Sequence, residues 1–304
     1  MHALTRQGLR AYLDPQNVHS SRQAAAQGLV RGGIQILRNP SGLIGAAIIV
    51  LLVLAAILAP LLATHNPYAQ NLQQVLLPPG ADHWFGTDNL GRDIYSRIVY
   101  GARATLTIVC IVSVIVGPIG IIIGATAGYF GGLVDTVLMR ITDVFLSLPS
   151  LVLALAFAAA LGPGLDNAII AISFATWPPI ARLARAEAMT IRKSDYVAAA
   201  RMMQASDLRI ILRQIIPMCT LSVVVRLTLN MAGVILVAAG LGFLGVGAQP
   251  PLPEWGAMIA VGRQYMLDSW WTVTFPGLAI VAVSLAFNLF GDALRDTLDP
   301  RSAR

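Results

Sequence analysis

Few side chains in this 304-residue sequence could do chemistry, and the most informative stretch is Asp195–Pro217, DYVAAARMMQASDLRIILRQIIP. The chemistry this stretch offers is docking. Leu208, Ile211, Leu212 and Ile215 recur at the i, i+3, i+4, i+7 spacing of an amphipathic helix. Ser206 stands where an N-cap would open that helix, and Pro217 where the next segment must begin afresh. Tyr196–Gln204 reads as a second short helix surfaced with Ala198, Ala199 and Ala200, and Ala205-Ser206 joins the two. Such a polar, Arg-bearing pair between long apolar runs points to a contact surface for a soluble partner.

Covalent chemistry is not expected. The glycines form no Gly-x4-Gly-Lys-Ser/Thr phosphate loop, and the single lysine, Lys193, sits in no such context. No Ser/His/Asp set, H-E-x-x-H motif or carboxylate pair is in order, so no residue is assigned as catalytic. Cys110 and Cys219 have neither disulfide nor metal spacing and read as packing residues. His65 and His83 stand too far apart in sequence to propose a site, so chance placement is preferred and no metal is expected. Arg140 and Asp143 are i, i+3 neighbours and are expected to pair near a membrane boundary. Arg226 lies nine residues past Pro217, roughly 13 Å along a helix, inside an apolar run. It can snorkel to the cytoplasmic surface, face a partner chain or line a path for an anionic group, in that order of preference.

The elements that hold these residues must be membrane helices. Hydrophobic residues make up 56% and charged residues 12%, with a mean hydropathy of +0.71. That is too little charge to cover a soluble domain. A hydrocarbon core of ~30 Å needs about 20 helical residues. Gly42–Ala63, Ala104–Gly128 and Ser269–Gly291 are uncharged, and Leu221–Gly245 carries only Arg226. Val144–Gly164 is also uncharged and is expected to continue a helix begun near Val134. Asn167–Ala181 is shorter and should extend to about Ala186 past Arg182 and Arg185, which can snorkel. This predicts an all-α, polytopic protein with six spans. Continuous rather than alternating apolar runs exclude a closed barrel. No cleavable leader is read, and Gly42–Ala63 is a retained anchor.

Charge orients the spans. The N-terminal tail carries Arg6, Arg10, Arg22, Arg31 and Arg38, and the loop before span five carries Arg182, Arg185, Arg192, Lys193, Arg201, Arg209 and Arg213. Arg295, Arg301 and Arg304 follow the last span, whereas the opposite side has only Arg92, Arg97, Arg103 and Arg263. The positive-inside bias puts both termini and Asp195–Pro217 in the cytoplasm. The net charge of +6 then reflects topology and anionic lipid, not nucleic acid.

The external loop, 64–103, has turn glycines Gly86 and Gly91, with Thr87 or Asp88 placed to cap a helix. Ile94, Ile98 and Val99 then predict a helix lying in the interface before span two. The loop either faces a partner or ligand, or folds back to cap the bundle. In the second external segment, Trp270-Trp271 suit an interfacial belt.

Several stretches together resemble one family. HWFGTDNLGRDIYSR (83–97), MRITDVFLSLPSL (139–151), YVAAARMMQASDLRIILRQIIP (196–217), GFLGVGAQPPLPEWGAMI (242–259) and FNLFGDALRDTLDP (287–300) occur in order. They are similar to the permease subunits of ABC importers of the dipeptide/oligopeptide and nickel uptake family, over about Ser41–Arg301. The first span with its long external loop resembles the C-type permease of such systems. The resemblance implies a tail at 1–40, a span and loop at 41–103, a permease core at 104–293 and a tail at 294–304. It further implies a second permease, two cytoplasmic ATPases that carry ATP and Mg, an external substrate-binding protein and the bacterial inner membrane, with no cofactor on this chain.

In this family the coupling segment reads Glu-Ala-Ala-x3-Gly and ends in Pro. Here Ala199, Ala200 and Pro217 match, Ala198 replaces Glu, and Gln204 replaces Gly. The resemblance therefore assigns coupling to Tyr196, Ala198, Ala199, Ala200, Gln204, Ala205, Ser206, Asp207, Leu208 and Pro217, and puts a residue with a side chain at a junction that otherwise carries glycine. A secondary transporter or channel, the rival class, would want ionisable groups at mid-membrane, where Arg226 is the single candidate. Peptides, modified peptides, glutathione-like compounds and metal chelates all remain open as substrates.

Overall fold

The structure, a computed structural model, describes residues 33–37 and 39–298. Most of the Arg-bearing N-terminal tail, and Arg301 and Arg304 at the other end, lie outside them. Among the described residues the chain is helical, with one isolated β-bridge between Thr87 and Asp93. The helices are α1 (Pro40–Ile57), α2 (Ala59–Leu62), α3 (Ile94–Phe130), α4 (Gly132–Leu146), α5 (Ser150–Leu161), α6 (Leu165–Thr176) and α7 (Pro178–Ile191). They continue with α8 (Asp195–Met202), α9 (Asp207–Ile210), a π-helical turn Ile211–Ile215, α10 (Ile216–Phe243), α11 (Trp255–Gly262) and α12 (Trp271–Leu298).

Among the described residues four helices are long and apolar enough to cross a membrane: Pro40–Ile57, Ile94–Phe130, Asp207–Phe243 and Trp271–Thr297. The pair α4–α5 adds a fifth if counted as one span, but it is bent by 89°. Length and composition therefore do not reproduce the expected six. The two shortfalls have visible causes. Pro149 has no amide hydrogen and disfavours helical backbone at Leu148, and here it caps Ser150–Leu161, so the run from Val134 does not pass straight into that helix. The expected fourth span is divided at Trp177-Pro178 into α6 and α7, and α7 carries Arg182, Arg185 and Glu187.

Two boundaries also move. The amphipathic stretch from Ile94 is no separate interfacial helix but the first turns of α3, capped by Asp93 rather than by Thr87 or Asp88. Asp93 Oδ2 accepts from the amide of Ser96 at 2.8 Å, which satisfies one of the free donors of the helix start. At the other end of the bundle, α9 runs through the π turn into α10 as one helix over Asp207–Phe243, so the chain does not restart at Pro217. The wider turn explains this. The amide of Ile216 bonds to Ile211 O, five residues back, which lets the helix pass a proline that has no amide hydrogen. Each of these two helices has 37 residues. At 1.5 Å per residue that is about 55 Å, so their ends must project beyond a ~30 Å core.

A glycine stripe seats α3 against α7. A Cβ on Gly120 would lie 2.6 Å from Ile180 Cβ, one on Gly124 would run into the carbonyl oxygen of Ala181, and one on Gly128 would lie 2.5 Å from that of Arg185. Ala181, Ala184 and Ala188 face the stripe and are fully buried. Small residues on both sides let the two backbones touch, which is the means by which helices associate where lipid removes the hydrophobic drive. Around this seam lies one apolar cluster, including Val116, Ile172, Ile180, Ile215 and Leu241. A second cluster joins α1, the start of α3, mid-α10, α11 and α12 through Leu52, Ile94, Ile235, Trp255 and Phe287.

The loop between α2 and α3 takes the second of its two expected forms and folds back onto the bundle. Gly86 and Gly91 make its turns at φ +74° and +68°, Thr87 is fully buried, and Trp271 Nε1 donates to Thr87 O at 3.2 Å. Trp271 is thus buried rather than half of an interfacial pair, and Trp270 alone is exposed. Cys219 packs inside as expected, while Cys110 is exposed on α3.

Gly124→Val should cost at least the ~1–3 kcal/mol of ordinary overpacking, because the new side chain meets backbone and not a movable rotamer. Thermal unfolding of the purified full chain in detergent checks this; an unchanged midpoint would remove the seam from the structural account.

Candidate partner-docking site

The segment 195–217 protrudes where α7 ends and α10 begins, beside the C-terminus of α3. Three side-chain contacts hold it there. Arg192 donates to the carbonyls of Tyr129 (3.0 Å) and Gly128 (3.2 Å), which an α-helix leaves free at its end. The Tyr129 hydroxyl donates to Asp207 Oδ1 at 2.6 Å, tying the start of α9 to α3. Arg201, in the last turn of α8, lies over the Tyr129 ring at 5.1 Å from its centre. One tyrosine at the end of the longest seam thus meets both short helices.

Within the segment the expected architecture holds. Ser206 caps α9, accepting weakly from the amide of Arg209 at 3.4 Å. Gln204 stands at φ +54°, in the left-handed region where glycine is at ease, and the Ala205 amide closes the turn on Ala200 O at 3.1 Å. The junction does require that backbone, and a glutamine supplies it.

The apolar stripe of the second helix divides between two faces. Ile211 and Ile215 are buried against the bundle with Ile210 and Val197, whereas Leu208 is 65% and Leu212 53% exposed. Met202 and Met203 at the tip are 86% and 83% exposed, and Tyr196, Ala198 and Ala199 are exposed on the flank of α8. Ala200 is buried, so it supports the segment from inside and offers no contact surface. The available face is a methionine-tipped apolar patch ringed by Arg201, Arg209 and Arg213. Those three, with Gln204, Ser206, Asp207 and Pro217, are all exposed, while Ala205 is half-buried.

Deeper in the bundle, the expected Arg140–Asp143 pair does not form. Asp143 accepts from Arg182 at 2.6 Å, and Arg185 makes a two-pronged contact with Asp135. Arg185 thus grips α4 with a planar fork on Asp135, whereas Arg182 holds Asp143 through a single contact at which both side chains stay exposed. Arg226 is exposed on α10, a turn beyond Ser222, whose hydroxyl donates to Glu187 at 2.9 Å. An apolar recess of about 490 Å³ opens between α3, α4 and α6, lined by Ile119, Ile141, Phe145, Phe174 and Trp177 among others. Its one hydroxyl, on Ser173, donates to Ile169 O, and no charged side chain lines the recess.

At the opposite end of α3 the loop brings together residues that sequence separation had kept apart. The rings of His65 and His83 lie 4.6 Å apart, and both face Asp93. No local signal marks this triad, since it depends on how the loop returns to the start of α3.

The fold is that of a multi-pass membrane protein with an exposed pair of short helices at one end of its bundle. Residues 120–304 match the binding-protein-dependent transport system inner membrane component family, and residues 34–79 match the N-terminal transmembrane domain of oligopeptide transport permease C. The chain is 47% identical over 264 residues to a probable D,D-dipeptide transport system permease protein of Escherichia coli K12, covering 87% of this chain and 89% of that protein. It is 43% identical to a dipeptide transport system permease protein of Alkalihalophilus pseudofirmus, covering 88% of each. The fold is also that of a solved structure described as inward-facing conformations of the MetNI methionine ABC transporter, with TM-score 0.53, 20% identity, and coverage of 66% of this chain and 96% of that one. The chain belongs to the binding-protein-dependent transport permeases and is the membrane-embedded component of such a system.

Gln204→Gly removes a left-handed side-chain penalty of ~1–2 kcal/mol and returns part of it as chain entropy. The substitution should stabilise the chain by up to about 1 kcal/mol, and Gln204→Val should destabilise it. Paired thermal melts of the full chain test this, and equal midpoints for both variants would mean that the turn is not held in solution.

Proposed function

We propose that this chain is one of two dissimilar permeases in an ATP-driven importer of dipeptides or related short peptides, and that Asp195–Pro217 is its contact with the cytoplasmic ATPases. The clamped segment with its exposed Met202, Met203, Leu208 and Leu212 carries this reading, because unpartnered apolar side chains on a fixed scaffold are what a docking surface needs. The peptide permeases among its relatives support the substrate class. ATP and Mg belong to the two ATPases, and an external binding protein delivers the peptide. A second permease completes the path across the bacterial inner membrane. The arginines of the docking face and the positive-inside rule support a cytoplasmic location for it. Proteoliposomes containing both permeases and the ATPases should take up a dipeptide only with ATP and binding protein present. Uptake driven by an ion gradient without ATP would overturn the reading in favour of a secondary transporter.

Leu208→Asp and Met202→Asp remove apolar side chains worth ~1.5–3 kcal/mol each when buried at a contact, which corresponds to roughly tenfold or more in affinity. Both variants should insert normally, lose co-purification with the ATPases and lose uptake. Normal co-purification would exclude this face as the contact.

Arg226 is read first as a residue that reaches the cytoplasmic headgroups, then as a contact for the second permease, and last as a lining residue. If it only reaches water, Arg226→Lys keeps full uptake, because both stems are long enough. If it grips a carboxylate with its planar fork, uptake by Arg226→Lys falls markedly at matched expression. Full uptake by Arg226→Leu as well would leave the residue without a role in transport.

A further inference from the structure

The triad at the outer end of α3 has the chemistry of a transition-metal site. His83 Nδ1 lies 2.9 Å from Asp93 Oδ1, and His65 Nδ1 lies 3.9 Å from the same oxygen. One donor atom from each residue falls within 4.8 Å of the others. A tetrahedral ion with bonds of about 2.0–2.2 Å holds its ligands a little over 3 Å apart, so two of the contacts already bracket the required spacing. The third closes by a small rotation of His65, whose side chain is 44% exposed and meets little beyond Thr64 and the His83 ring. Two imidazoles and one carboxylate suit zinc, copper or nickel, and leave a fourth position open to water.

The surroundings fit the same assignment. A histidine bound to metal through one ring nitrogen donates the other N–H to an oxygen, which fixes its tautomer. His83 Nε2 faces Gln74 Oε1 at 3.4 Å, while Nδ1 already points at Asp93 Oδ1, the side on which an ion would sit. Asp93 Oδ2 is held separately by the amide (2.8 Å) and hydroxyl (2.6 Å) of Ser96, so Oδ1 can bind metal without loss of the helix cap. His83 and Asp93 are buried and preorganised, while His65 is the exposed ligand by which an ion would enter.

We propose that His65, His83 and Asp93 bind a divalent transition ion of the zinc type, which clips the loop after α2 to the first turn of α3. Binding replaces the proton shared between His83 Nδ1 and Asp93 Oδ1 and releases it to water. The ion joins three points of the chain that otherwise meet through single hydrogen bonds, and so stiffens the face opposite the docking segment. This assignment does not depend on the transport reading.

Zinc titration of the full chain in lipid nanodiscs, followed by calorimetry and by thermal unfolding, tests it. The wild type should take up one equivalent saturably and unfold at a higher temperature with zinc than without. His65→Ala should lose at least tenfold in affinity and lose the thermal shift. Gln74→Ala should weaken binding about 10–100-fold, as loss of an outer partner does. His83→Ala can fail through loss of a buried contact, so the exposed His65 is the deciding position. Cys110→Ser guards against an exposed thiol elsewhere and should leave both readouts unchanged. Equal affinity and equal thermal shift in wild type and His65→Ala would overturn the site, as would the absence of saturable binding in the wild type.

Discussion

The seam between α3 and α7 is the contact on which the other placements depend. In lipid there is no hydrophobic gain in bringing two apolar helices together, so association rests on how closely the backbones approach. Gly120, Gly124 and Gly128 each meet α7 where a side chain would strike a neighbouring atom. The seam runs to the end of α3, and its last turn is where Arg192 closes on the free carbonyls of Gly128 and Tyr129. The position of Arg192 fixes where the chain leaves α7, and hence where α8 begins. The other side of α7 receives α10, with Cys219 Sγ 3.8 Å from Ala184 O and Ser222 bonded to Glu187. Both ends of the docking segment are therefore set by one helix, and that helix is set by three glycines.

Charge inside the bundle serves the same helix. Asp135 and Asp143 both lie on α4, and both pair with arginines of α7. A Coulomb pair at a membrane boundary gains from lower dielectric, and the fork of arginine adds directional bonds that a lysine would lack. These pairs anchor α4 to α7 ahead of the 89° bend into α5, so the chain turns sharply while its first arm stays fixed.

What the sequence made legible was local. Ser206 as a cap, the turn glycines Gly86 and Gly91 and four uninterrupted spans are each decided by a few neighbouring residues, whereas the strained place of Gln204 was indicated only by the family resemblance. What it hid was decided by partners far along the chain. Asp143 prefers Arg182 over Arg140 because α4 and α7 happen to face each other, which no spacing within α4 reveals. His65 and His83 meet only because the loop returns to Asp93. The direction of Leu208 away from Ile211 depends on which side of the segment the bundle occupies. The π turn before Pro217 lay between these cases: the proline was visible, but whether the helix stops or widens depends on packing of Ile210, Ile211 and Ile215 on the interior. The glycine stripe at 120, 124 and 128 was not read from the sequence, because the alanines that answer it are some sixty residues away.

The continuity of Asp207–Phe243 changes what the docking segment can do. Had the chain restarted at Pro217, a loop would have stood between the contact face and the span, and small displacements would have been absorbed there. Instead Leu208 and Leu212 stand on the same helix that continues into the bundle, and Tyr129 binds the start of that helix to the far end of α3. A displacement of the exposed face must then move α10, α3 or both. Between the exposed face and the bundle lies the π turn, where hydrogen bonds span five residues and the buried Gln214 Oε1 has no hydrogen-bond partner among the described residues. Stretching the segment itself would break the contacts that Arg192, Arg201 and Asp207 make with Tyr129.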